Sequence, residues 1–249
     1  MKIEELLDIS QQSLDLINPT TPEKIIAAGQ EAGLKTGSQV IDFGCGYGEV
    51  LILWAQEFGI TGVGIDINKR ACNVARHKIS EQGLSEHLKI VCGNAAEYEF
   101  APQEFDVAAC IGALFIWQND FRRTLRQMCQ AVHNDGKLII GEAYWSRPQV
   151  PPEYSRKATS IHTEHELFQI CREEGYTIEW IRRASDDDWD RYESSNWQGL
   201  IDWLHKNPSH PERQQVLVYL HERQGEYFRY GRAYFGWMLC VLVPMDKAI

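Results

Sequence analysis

The chain has 249 residues, of which 44% are hydrophobic and 24% charged, and its formal net charge is −10. That length suits one α/β domain carrying an insertion, and the apolar content is enough to fill a core. The acidic balance weighs against a sequence-independent nucleic-acid binder, which needs a basic footprint, and no run of about 20 apolar residues offers a membrane span.

In chain order, Met1-Lys2-Ile3-Glu4-Glu5 lacks a basic start followed by an apolar run, so no signal peptide is expected. Ile3, Leu6, Leu7, Leu14 and Ile17 lie near helical spacing, and Asn18-Pro19 breaks the pattern. A second helix opens at Thr21-Pro22 and stops at Gly33. The spacing then predicts strands over 39–43, 62–66, 88–92, 105–111 and 137–142. Helices follow over about 49–58, 69–82 and 121–132. Residues 144–162 are proline-rich and irregular. A capping box at Thr163-x-x-Glu166 opens a helix to about Glu174. Strands over 176–181 and 235–243 bracket a helical stretch, 186–231, in which Trp197, Leu200, Ile201 and Leu204 form a stripe. Short apolar strands alternating with amphipathic helices predict a parallel sheet covered on both faces.

The chain is organised around Val40-Ile41-Asp42-Phe43-Gly44-Cys45-Gly46-Tyr47-Gly48-Glu49-Val50: a buried strand, a turn with glycine at every second position, then a helix. In an open parallel sheet, ligands sit outside the carboxyl ends of the strands at the switch point. Asp42 with Gly44, Gly46 and Gly48, then Asp66, then Gly93-Asn94-Ala95, then Ile111-Gly112 all fall at such ends. Asp66 stands where a carboxylate grips a ribose diol, and the Asn94 amide can meet an adenine edge. A dinucleotide wants G-x-G-x-x-G with its pyrophosphate on the helix N-terminus. Here the glycines run G-x-G-x-G, and Glu49 would repel a pyrophosphate. S-adenosylmethionine carries no phosphate, and its ammonium and sulfonium tolerate nearby carboxylates.

Residues 40–50, 62–66, 92–95, 105–112 and 135–142 resemble, in order, the motifs of class I S-adenosylmethionine-dependent methyltransferases. The whole chain, including Glu142-Ala143-Tyr144-Trp145 and Tyr234-Phe235-Gly236-Trp237, resembles a group of bacterial methyltransferases of unassigned substrate. The resemblance implies a Rossmann-like, seven-stranded, mostly parallel sheet with an antiparallel last strand, in a single domain. Its core is 37–185 with 232–249, beneath an N-terminal helical cover (1–36) and a helical insertion (186–231). It implies that Asp42 and the Gly44-Cys45-Gly46 backbone hold the methionine moiety, with Gly48 closing the turn. Asp66 would hold the ribose and Ile67 pack on adenine, with Asn94, Ala95 and Ile111 completing the cofactor site. Asn94 departs from the family, where aspartate is common.

The acceptor is read less directly. Ile111-Gly112-Ala113-Leu114-Phe115 replaces the Asn-Pro-Pro-aromatic motif of amino-methylating enzymes, and no Pro-Cys pair is present. With the acidic charge, these absences favour a small-molecule acceptor in a cytoplasmic enzyme. A non-catalytic S-adenosylmethionine-binding protein and a methyltransferase of RNA or protein stay open. Tyr144 and Glu142, at the end of the fifth strand, are the candidate catalytic residues; Trp117, Tyr144 and Tyr234 are the candidate acceptor-binding ones. Eleven aromatics between Trp189 and Trp237 either line a pocket or pack the helices on the sheet. His162 and His165 lack a third ligand, so no metal is expected. The seven scattered cysteines, with no C-x-x-C, read as buried thiols in a reducing compartment. Cys45, beside a helix N-terminus that can lower a thiol pKa, is taken as a small turn residue rather than a nucleophile.

Overall fold

The computed structural model describes residues 1–156 and 158–245, so the last four residues of the expected core range, 246–249, lie outside it. Two helices lead: α1 (Ile3–Gln11) and α2 (Pro22–Glu31). The alternation follows as β1 (Gln39–Phe43), α3 (Glu49–Phe58), β2 (Thr61–Asp66), α4 (Lys69–Glu81), β3 (Leu88–Cys92), β4 (Phe105–Ile111), α5 (Phe121–Ala131) and β5 (Val132–Trp145). Then come α6 (Pro152–Ser155), α7 (Glu164–Glu173), β6 (Tyr176–Arg183), α8 (Asp186–Lys206), α9 (Arg213–Glu226), a π turn (Tyr227–Gly231), α10 (Arg232–Tyr234) and β7 (Phe235–Pro244).

The seven strands form one sheet in the order β3-β2-β1-β4-β5-β7-β6. β7 runs antiparallel to both β5 and β6, and the pairs among β1 to β5 are parallel. Strand order reverses between β1 and β4, which opens a crevice at their carboxyl ends. The middles of the central strands are buried on both faces, which is why they are predominantly apolar there. Val40, Val107, Ile139 and Val241 pack under α2, α3 and α4 with Ile25, Leu51, Trp54 and Ala75. Ile41, Phe43, Ala108, Ile140 and Cys240 pack under α5 and α7 with Phe121, Leu125, Met128 and Leu167. A third cluster, Leu6, Leu200, Leu204, Val216 and Leu220, joins α1 to α8 and α9.

The helix starts follow their caps. Thr21 accepts from the Lys24 amide ahead of Pro22, and Thr163 and Glu166 close the expected capping box. Ser185 caps α8, and Asp186-Asp187-Asp188 places negative charge at its positive end, with Asp188 also paired to Lys24 at 2.5 Å.

Three boundaries differ from the sequence reading. α1 ends at Gln11, and the chain unwinds over 12–20. That unwinding buries Leu14, Leu16, Asn18 and Thr20 instead of spreading them round a helix. β5 begins at Val132 and absorbs Asn134-Asp135-Gly136 as an irregularity against β4, and it runs on to Trp145 because β7 pairs along it as far as Phe235. β6 likewise extends to Arg183.

Candidate functional site

The glycine turn after β1 is tied to the end of β2. The amides of Gly44 and Cys45 both donate to the Ile65 carbonyl, at 2.8 and 3.1 Å. Gly44, Gly46 and Gly48 have φ of +78°, +52° and +75°, which residues with a Cβ rarely adopt. A Cβ on Gly44 would stand 2.3 Å from the Ala113 Cβ, so the turn can lie against the end of β4 only as glycine.

In front of this turn is a cavity of about 460 Å³. Its floor is Asp42, Gly44, Cys45, Gly46 and Tyr47 from β1 and the turn, Asp66 at the end of β2 with Ile67 and Asn68 just after it, and Ile111 at the end of β4 with Gly112 just after it. Its roof is Leu7, Gln11, Leu16, Ile17 and Asn18 from the N-terminal segment, with Phe115 and, from α8, Tyr192. Among the described residues, six carboxylates line it (Glu4, Asp8, Asp15, Asp42, Glu49 and Asp66) and no lysine, arginine or histidine does.

The two deepest carboxylates differ in their bonding. Asp66 receives the Gly46 amide on one oxygen and the Asn68 amide on the other, each at 2.8 Å, leaving a lone pair on each for a ligand hydroxyl. Asp42 is 2% exposed, and its carboxylate makes no hydrogen bond or ion pair among the described residues. Burial, then the charge of Asp66, push its carboxyl up from 3.8 to about 7. A buried carboxylate without a partner is costly unless a ligand supplies a cation or donors. The outer acids are backed by cations: Lys78 reaches Asp15 at 2.8 Å and also Glu49, and Arg70 lies 3.9 Å from Asp8. Burial and the two deep carboxylates push the Cys45 thiol well above its ordinary value, so the helix end does not make it reactive.

The structure brings Asp42, Gly44, Cys45, Gly46, Asp66, Ile67 and Ile111 to this one cavity, and Gly48 caps α3 just behind it. It does not bring the others there. Asn94 spends its amide locally, accepting from Ala96 N at 3.1 Å and donating to Glu97 Oε1 at 2.8 Å. Ala95 and Trp117 line a separate groove with Phe43 and Phe100, and the Trp117 ring packs edge-on to Phe43 at 5.3 Å. Tyr234 lies on a shallow surface pocket with Arg147 and Pro148.

Tyr144 and Glu142 leave β5 on the α5–α7 face, the side opposite Asp42, because successive side chains on a strand alternate. The Tyr144 ring fills the space over Gly236 on β7, beside Arg183 at 5.7 Å. Burial and then the Glu164 charge push its hydroxyl up to about 12. Glu142 accepts from the Ala143 amide at 2.9 Å, and burial pushes it up to about 7. Neither residue lines the cavity.

Leu7, Gln11, Ile17, Asn18, Tyr47, Phe115 and Tyr192 also line the cavity and are not marked by any motif. The front section and the 186–231 helices are expected as a cover, but residues 12–20 are irregular and carry no period that would single out the inward side chains.

With Asp42 and Asp66 bearing no paired cation among the described residues, the deep end of the cavity disfavours a pyrophosphate and suits a ligand bearing an ammonium and a sulfonium. Asp66 remains free to hold a diol, and the glycine turn leaves backbone open beside it.

Residues 40–136 match the family model described as a methyltransferase domain. The chain is 31% identical over 248 residues to the uncharacterised protein YjhP of Escherichia coli (strain K12), covering 98% of this chain and 99% of that one. It is 28% identical over 195 residues to the ubiquinone/menaquinone biosynthesis C-methyltransferase UbiE of Francisella philomiragia, covering 70% of this chain and 76% of that one. The crystal structure of an S-adenosylmethionine-dependent methyltransferase from Geobacter sulfurreducens, in complex with S-adenosylhomocysteine, superposes with a TM-score of 0.90 at 30% identity, covering 98% of this chain and 99% of that one. Full-length likeness to that structure, on the same sheet and with a cavity built for a cationic, diol-bearing ligand, places the chain in the class I S-adenosylmethionine-dependent methyltransferases, with S-adenosylmethionine as its cofactor.

Proposed function

We propose that this methyltransferase acts on a small-molecule acceptor, and that Asp42, Asp66, Ile67, Ile111 and the Gly44-Cys45-Gly46 turn form its cofactor site. The observation that carries the acceptor class is the roof. Leu7, Gln11, Ile17 and Tyr192 cover the cavity, and its acidic lining repels a phosphate backbone. The Francisella relative, a C-methyltransferase of ubiquinone/menaquinone biosynthesis, is consistent with such an acceptor. In this reading residues 1–36 and 186–231 close over a core formed by 37–185 and 232–245 within a single domain.

S-adenosylmethionine supplies an electrophilic methyl group on a sulfonium. Asp66 would hold the ribose hydroxyls, Ile67 would pack on the adenine, and Asp42 would face the cationic methionine end. The roof lies over the cavity, so an acceptor admitted beneath it would be aligned in line with the methyl group. Positioning of this kind can supply about 7–11 kcal/mol of a barrier.

The test incubates the protein with methyl-labelled S-adenosylmethionine and separate small-metabolite, RNA and protein fractions of a cell extract. Label is expected in a small product. Label confined to RNA or protein overturns the acceptor class.

A further inference from the structure

The acidic cavity suits the two cationic groups of S-adenosylmethionine but not its carboxylate. That carboxylate sits on the same carbon as the ammonium, so both must be met at one end of the site. Among the described residues no lysine, arginine or histidine lines the cavity, and the cations behind its outer acids are spent: Lys78 on Asp15 and Glu49, Arg70 on Asp8. The N-terminus of α3, a common seat for an anion, already has Glu49 in its first turn. A ligand carboxylate therefore has to be received by neutral N–H donors.

Three side-chain amides line the cavity: Gln11, Asn18 and Asn68. Asn68 is spent, since its Oδ1 accepts from the Arg70 and Ala71 amides at the start of α4 and its Nδ2 donates to Asp8 at 3.0 Å. Gln11 is half-buried, and nothing among the described residues fixes its side-chain amide. Asn18 differs from both. It is 6% exposed, and its Oδ1 accepts from the Thr20 amide at 2.9 Å. That bond settles which end of the side chain is which, and leaves Nδ2 with no hydrogen bond among the described residues, on a side chain whose remaining surface is cavity wall. Thr20 is clamped in turn. Trp237 Nε1 on β7 donates to its Oγ1 at 2.9 Å, and Arg191 on α8 donates to its carbonyl at 3.0 Å. A Cβ on Gly112 would stand 3.8 Å from the Asn18 Cβ, so Asn18 lies over the end of β4, the strand next to the one that carries Asp42. The structure thus holds one unspent N–H donor rigidly beside the place where the ammonium would sit.

We propose that Asn18 is a specificity-determining residue of the cofactor site: its Nδ2 donates to the carboxylate of S-adenosylmethionine, which this cavity recognises through a neutral amide and not through a cation. The inference rests on the cofactor site proposed above. A neutral donor has a physical advantage at this position. A lysine or arginine there would pair with Asp42 and compete with the ammonium for it, whereas an amide N–H bonds a carboxylate and leaves Asp42 to the cation.

The test compares two ligands by calorimetry at pH 8: S-adenosylmethionine and decarboxylated S-adenosylmethionine, which lacks only that carboxylate. Asn18→Asp keeps an oxygen for the Thr20 amide, so the turn is retained, but it sets a carboxylate against a carboxylate. S-adenosylmethionine should bind at least about tenfold more weakly to it, and the decarboxylated compound should bind as well as to wild type or tighter. Asn18→Ala should weaken S-adenosylmethionine by roughly tenfold and the decarboxylated compound by less than about twofold. Equal weakening of both ligands would make Asn18 a structural part of the roof and overturn the proposal. Unchanged S-adenosylmethionine affinity in both variants overturns it too, even where labelled methyl transfer falls, since Asn18 would then face the acceptor. Asp66→Ala should weaken both ligands alike. If it does and the Asn18 variants weaken neither, the role of Asn18 is removed and the cofactor site stands; if Asp66→Ala leaves both affinities unchanged, the site and the role of Asn18 fall together.

Discussion

Asp42 and Asp66 sit on neighbouring parallel strands and face one cavity, yet their backgrounds set different tasks. Asp66 is held by two amides and is ready to accept hydroxyls. Replacing it with alanine removes charge-assisted bonds of about 1.5–3 kcal/mol each, so cofactor affinity measured by calorimetry should fall at least tenfold. Asp42 has its carboxyl pushed to about 7 by burial and by Asp66, so it is mostly neutral at pH 6 and mostly ionised at pH 8. The charged form is the one that attracts a cation. S-adenosylmethionine binding should therefore tighten by up to about tenfold across that interval and become nearly flat in Asp42→Asn. Both aspartates were legible in the sequence, because a carboxylate at the end of an apolar strand next to a glycine turn has few structural uses. The faces of Glu142 and Tyr144 were not. β5 is buried on both sides, so Leu138, Ile139 and Ile140 are all apolar and no alternation marks which residues point toward Asp42.

At the scale of elements, α1 is the least expected part of the site. It is pinned to α8 by the absence of a side chain at Gly199 and by the Gln12–Gly199 bond. Its amino-terminal end is held by Glu212 and Gln215, and its other flank by Asp8 to Asn68 at 3.0 Å. Gly199→Val would drive a side chain into the Ile9 and Ser10 carbonyls, at a cost of about 1–3 kcal/mol. The helix should lift, amide exchange over residues 3–18 should accelerate, and cofactor affinity should fall, while exchange in β1 to β5 stays near wild type. Cofactor affinity that survives this change would mean that α1 is not part of the roof. The helix itself was visible as an apolar stripe. Its docking was not, because a glycine inside α8 signals only a weak helix former until a second backbone is seen against it.

For the whole molecule, two carboxyls carry a stability cost that follows from the fold. Asp42 and Glu142 each titrate near 7 when folded, above their ordinary values of 3.8 and 4.5. Between about pH 4.5 and 7 the folded chain therefore holds protons that the unfolded chain has released, so stability falls as pH rises through that window. The displacement at Asp42 alone is worth about 4 kcal/mol. The thermal midpoint of the cofactor-free protein should drop between pH 5 and 7.5, and Asp42→Asn with Glu142→Gln should flatten the profile. Saturating S-adenosylmethionine should recover part of the loss near pH 8, since a ligand at a hundred times its Kd stabilises by about 2.7 kcal/mol. A midpoint that rises with pH in the cofactor-free protein would contradict the burial of these groups.

The sequence by itself determined the strand–helix alternation, the glycine turn and the two acidic strand ends, and with them the methyltransferase family. Each of these is set locally: by runs of apolar residues, by caps, and by a backbone conformation open to glycine. Tertiary packing sets which face of the sheet Glu142 and Tyr144 take, unwinds residues 12–20 into the cavity's roof, and brings Tyr192 of α8 over it. Those features depend on contacts between segments far apart in the chain, and no local pattern records them.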